Sequence, residues 1–148
     1  MRPSPTMRRL TPVALLLVLA ACTDTGGSAA APTVDDRKEW CATVREVDER
    51  FKTADNSEGS FEKKQARYER IGELIGELDD GIAVVNAMDR DAVRSSLEWT
   101  MRLTDALVAA DDGRDAERRV EPLYAPGKQI QNAAAPWIRK NCGIDIAR

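Results

Sequence analysis

Three cysteines and no histidine set the chemistry open to this 148-residue chain. Without an imidazole there is no Ser-His-Asp or Cys-His arrangement, and the commonest general base and neutral metal ligand are missing. The thiols keep the covalent chemistry of their own sulfur, as an attachment point or as half of a disulfide. Cys22 closes an apolar run behind basic residues, whereas Cys41 and Cys142 stand near the two ends of everything downstream. The three therefore divide into one and two.

Paired carboxylates are the other groups able to move protons or hold a cation. They occur at Asp35-Asp36, Asp79-Asp80 and Asp111-Asp112. Asp111-Asp112-Gly113-Arg114-Asp115 comes nearest to a calcium loop, but such a loop needs Gly at its sixth position and Glu at its twelfth. Ala116 and Pro122 stand there, so these aspartates read as solvated helix ends and caps. Gly72 and Gly76 lie inside a helical pattern and lack the strand–turn–helix setting of a phosphate loop. No catalytic residue, metal or cofactor is expected, and a non-enzymatic role follows.

Four residues remain as candidate ligand or partner contacts. Trp99 sits at the edge of an apolar arc, where packing against a neighbouring helix is the plain expectation. An exposed partner contact, or a pocket wall shared with Leu103, is the alternative. Lys64 and Arg67 fall on an apolar stripe, which suits charged heads snorkelling at an open bundle end. A cationic rim for an acidic ligand or partner is the other reading.

The elements that must position these groups begin with a leader. Arg2, Arg8 and Arg9 precede the run Leu10–Ala21, with no acidic residue among them. A basic start, a short apolar segment and small residues at its end make a signal peptide over residues 1–21. The apolar run is about 12 residues, against roughly 20 for a spanning helix.

The segment Leu19-Ala20-Ala21-Cys22 resembles the lipobox of bacterial lipoproteins. That resemblance implies that Cys22 carries a diacylglyceryl group after cleavage, anchoring the chain to the outer face of the cell membrane. Stable anchoring takes two chains, each buried CH₂ contributing about 0.8 kcal/mol. Residues 22–34 are small and polar and read as a flexible tether, with a root-mean-square span of about 20 Å.

Removing Arg2, Arg8 and Arg9 leaves 19 basic against 25 acidic residues, a net charge of about −6. An acidic surface disfavours nucleic acid and anionic headgroups. Export also places the chain where paired thiols oxidise. With Cys22 assigned to lipid, an even pair remains.

Residues 35–148 read as helices. Trp40, Val44, Val47 and Phe51 are spaced 4, 3 and 4, a single helical stripe. A second stripe starts behind Ser60 as N-cap and runs from Phe61 through Tyr68, Ile71, Ile75, Leu78 and Ile82 to Val85. Its period continues through Gly81, so one helix is expected there. Asp89 can cap a third helix, with Val93, Leu97, Thr100, Met101, Thr104, Leu107 and Val108 on its main stripe. Asp111-Asp112-Gly113 ends it. Pro122, Pro126 and Pro136 then predict a short helix near Asp115–Val120, a turn, and a last helix closed by Gly143.

The fold class expected is all-α, a four-helix up-down-up-down bundle. In that order the first helix starts and the last one ends at the same end of the bundle. A Cys41–Cys142 disulfide between first and last helices fits that topology, and Trp40 and Trp137 should lie beside it. The disulfide end would face the membrane, leaving the far end, near Ser60 and Asp112, free. Trp40-Cys41 and Asn141-Cys142-Gly143-Ile144 also resemble small actinobacterial lipoproteins, which implies a disulfide-closed helical domain and no particular activity. The role expected first is a module that binds an envelope protein partner or serves as an accessory of a surface assembly; the alternative is a carrier holding a small molecule or lipid in an apolar cavity between helices.

Overall fold

Helix α1 (Val34–Asn56) starts at a reciprocal cap. The Thr33 backbone N–H and hydroxyl donate to Asp36 Oδ2 at 2.6 and 2.8 Å, and the Asp36 N–H donates back to Thr33 Oγ1. These bonds, that from the Thr33 N–H first, hold the Asp36 carboxyl below its usual range. The computed structural model describes residues 30–56 and 59–147. The leader, Cys22 and most of the tether lie outside the described residues.

Helix α2 (Phe61–Asp80) follows, then a 3₁₀ turn (Ile82–Val84), α3 (Arg90–Val108) and α4 (Gly113–Cys142). Ser60 holds the N-cap position of α2, but its hydroxyl bonds the Glu62 carboxylate rather than a backbone N–H. Asp89 likewise precedes α3 without capping it, its carboxylate accepting from Asn86 Nδ2. Asp112 is a true cap: its Oδ1 accepts from the Asp115 N–H at 2.8 Å. Asp112-Gly113 therefore opens α4, while α3 stops earlier, at Val108. Gln65 on α2 donates to the carbonyls of Val108 and Ala110, both at 2.8 Å, satisfying that helix end from across the bundle.

Two further expectations, both about helix boundaries, are corrected. The second helix does not run through Gly81. It ends at Asp80, and Ile82 and Val85 reach the core from the 3₁₀ turn and its C-cap instead. The Trp40 indole occupies the corner so formed: its Nε1 donates to the Leu78 carbonyl at 2.9 Å, and a Cβ on Gly81 would lie 3.1 Å from Trp40 Cδ1. A regular helix needs that carbonyl for its own ladder, so the side-chain bond and the helix end go together.

The other correction concerns the prolines. Pro122, Pro126 and Pro136 all lie inside one 30-residue helix. At about 100° per residue the three fall within an arc of roughly 80°. All three are exposed, as are Arg118 and Asn132, which with Pro122 carry the carbonyls left without an N–H partner. Water can serve those carbonyls, so the usual cost of an interior proline is reduced on this face. Gly143 ends the helix with φ 72°, its N–H bonding Arg139 O.

The four helices alternate in direction, and Cys41 and Cys142 join α1 to α4 with Cα atoms 5.1 Å apart. Trp40 and Trp137 meet edge to face beside the bridge, centroids 5.5 Å apart. Arg45 Nη2 donates to the Cys142 carbonyl at 2.9 Å, closing the same end. Residues 31–148 form one compact unit, whose core centres on Ile71, Ile75, Val85, Val93 and Ala134. Beyond Gly143 the chain folds back, burying Ile144 and half-burying Ile146.

Candidate functional site

The helices do not close evenly. Helix α4 packs chiefly along α3 and much less along α1. The disulfide, the Trp40–Trp137 pair and the Arg45–Cys142 bond tie α1 to α4 at one end. Along the rest of their length the two helices flank a cleft of about 360 Å³.

Trp99 explains why α4 leans toward α3. Its Nε1 donates to the Leu123 carbonyl at 2.8 Å. Its ring fills the space beside Gly127, where any Cβ would overlap indole atoms Cε2, Cζ2 and Nε1. A glycine at 127 thus lets the α4 backbone come against the indole. Trp99 is buried, which overturns its reading as an exposed partner contact. It forms a wall of the cleft together with Leu103, which is half-buried.

All four helices and the tail line this cleft. Ile75, Leu78 and Leu97 make the floor, Val44, Val47 and Phe51 the α1 wall, and Ile138 and Ile146 the end nearest the disulfide. Tyr124, 57% exposed, stands at the rim. The polar lining is sparse: Ser96, Thr100, Gln131 and Asp48. Asp48 is the one charged group among the lining residues, and Lys52 Nζ lies 2.6 Å from its Oδ2. A concave, mostly apolar space with a few polar groups is the ordinary form of a small-molecule site.

Lys64 and Arg67 are not part of it. Both are half-buried, and Arg67 borders a separate groove between α1 and α2 with Glu46, Glu49 and Arg50. That groove mixes both signs, and Arg50 is bonded to Glu46 at 2.7 Å. The expected cationic rim is therefore not joined to the apolar walls. Gly72 faces Met101 and Thr104 of α3 at ordinary contact distance, while nothing stands within 4 Å of a Cβ on Gly76.

The sequence reading missed Ser96, Tyr124 and Gln131. Tyr124, Gln131 and Ile138 repeat every seven residues, which places them on one helix face. That signal was hidden by reading Pro122 and Pro126 as breaks.

No protein-family model, curated protein or solved structure matches this chain. Among the described residues no helix is long and apolar enough to cross a membrane.

Proposed function

We propose that this protein is a non-enzymatic lipoprotein of the cell envelope that holds a small apolar molecule in the cleft between α1 and α4. The cleft carries the reading. Its 360 Å³ falls within the range of ligand sites, about 300–1,000 Å³. An apolar cavity of about 150 Å³ accepts a six-carbon ring. By proportion this one has room for roughly twelve to fourteen carbons, each CH₂ contributing about 0.8 kcal/mol when buried. Such a molecule is sparingly soluble in water and partitions into membranes, so a carrier tied to the membrane surface meets it where it is concentrated.

The anchor is the second half of the proposal. Cys22 would bear the lipid, and the tether would hand the chain to α1 seven residues before Cys41, placing the disulfide-closed end toward the membrane. Native mass spectrometry of protein purified from its own membranes tests the carrier role: a retained small hydrophobic molecule is expected, and bare protein counts against it. Fractionation of Cys22→Ser tests the anchor, since unchanged membrane retention would remove it.

One observation favours a second reading, a module that grips an envelope protein. The cleft is open along one side, and Tyr124 stands exposed at its rim. An apolar side chain of a partner could enter there. Crosslinking in intact membranes through a photoreactive residue at position 124 should then trap one protein rather than a small molecule.

A further inference from the structure

The cleft's polar groups restrict which apolar molecule it takes, given the carrier reading on which this rests. Most are already engaged. The indole N–H of Trp40 donates to Leu78 O and that of Trp99 to Leu123 O, so both rings turn only carbon surface to a ligand. The Thr100 hydroxyl donates to Ser96 O at 2.7 Å. Asp48 stands against Lys52, leaving no unbalanced cation to receive an acid.

Two groups remain. Ser96 is 95% buried by its 5% exposure, yet its hydroxyl makes no hydrogen bond among the described residues. Among the described residues no buried side-chain oxygen or nitrogen is left both sealed and unpaired, so this hydroxyl opens into the space it lines. The Gln131 amide on α4 likewise has no partner among the described residues and lines the same cleft. A hydroxyl and a carboxamide are neutral and both donate and accept. A ligand that fills the cleft and leaves these bonds unmade incurs a desolvation cost, and one whose polar group supplies them gains selectivity.

We infer that the cleft selects a neutral single-chain amphiphile, one whose hydroxyl, ester or amide bonds Ser96 and Gln131 while its chain lies against Trp99 and Leu103. A carboxylate-ended amphiphile of equal length is rejected. It would lose its hydration without meeting a positive charge, and it would approach the Asp48 carboxylate.

Isothermal titration of the full chain carrying Cys22→Ser, so that no acyl group of its own competes, separates the outcomes. The probes are 1-decanol, decanoate and decane, each at pH 8. The alcohol should bind at least tenfold more tightly than decanoate and severalfold more tightly than decane. Ser96→Ala, which removes one oxygen, should weaken the alcohol about three- to tenfold and leave decane unchanged. Gln131→Leu should do the same from the other helix. Decanoate binding as well as the alcohol would overturn the neutral-ligand inference and leave the carrier reading standing. Decane matching the alcohol, with both variants silent, would overturn the assignment of Ser96 and Gln131. Failure of all three probes to bind would remove the carrier reading and this inference together.

Discussion

Trp99 occupies the space in which Gly127 would otherwise carry a side chain, and it bonds the Leu123 carbonyl one turn earlier on the same helix. This contact seats α4 on α3. The disulfide holds the end of α4 to α1, and the cleft is what remains between those two attachments. A bulky residue at 127 has no equivalent place to go, because backbone fixes one side and an indole the other.

Gly127→Ala should therefore destabilise the protein by about 3 kcal/mol, at the upper end of ordinary overpacking. Urea unfolding monitored by tryptophan emission checks this, and the native spectrum itself should shift as Trp99 moves. Gly76→Ala is the control. Nothing stands within 4 Å of its new Cβ, so the exchange should stabilise α2 by about 0.5–1 kcal/mol.

Replacing Cys41 and Cys142 together by alanine should lower stability by up to about 4.7 kcal/mol in the chain-entropy account of a closed loop of this length. The Cys residues are 101 positions apart, so reduction frees almost the whole unit. Calorimetry with and without reductant should give matching losses for the oxidised protein and none for the double variant.

Leu103→Trp adds bulk at a half-buried wall of the cleft. The larger ring can extend into the open space, so stability should change by less than about 1 kcal/mol. Ligand affinity should fall tenfold or more. A variant of unchanged stability that binds normally would place the site elsewhere.

Acid should weaken the fold through Asp36 and Asp115. Bonds from Thr33 lower the first, and bonds from the Arg119 side chain and then the Asp111 N–H lower the second. Their unfolded values lie near about 3.9. Above that pH both states are ionised and the stabilising bonds are fully present. Below it the unfolded chain takes up protons first, and the contribution disappears as pH falls through the lower folded values. Urea midpoints between pH 6 and pH 2 should drop below about pH 4, and Asp115→Asn should shallow that drop.

Much of this fold was legible because helical periodicity is a local signal. The stripes of α1 and α3 follow from spacing, and the Cys41–Cys142 bridge from the bundle topology together with the expectation of export. Gly81 misled because the apolar period continues past it: Ile82 and Val85 are core residues either side of the helix question. The helix stops where Trp40 takes the Leu78 carbonyl, a contact 38 residues away in sequence. Pro122 and Pro126 misled in the opposite sense. Proline argues against helix interiors on average, but a tertiary fold can keep such residues on its wet face, and α4 does.

The site was legible in part. Trp99 and Leu103 stood out as the edge of a broad apolar arc and do share a pocket wall. Lys64 and Arg67 share an apolar stripe in the sequence, but they lie off the cleft. Ser96 was invisible, because a lone serine in a helix has no signature until its surroundings show that no described residue bonds its hydroxyl.

Backbone chemical-shift mapping of the isotope-labelled full chain with Cys22→Ser, titrated with 1-decanol, tests the central claim most directly. Shifts concentrated at Val47, Ser96, Leu103 and Gln131, saturating together, are the predicted result. Shifts scattered over exposed apolar residues such as Met88, or none at the cleft, would contradict it.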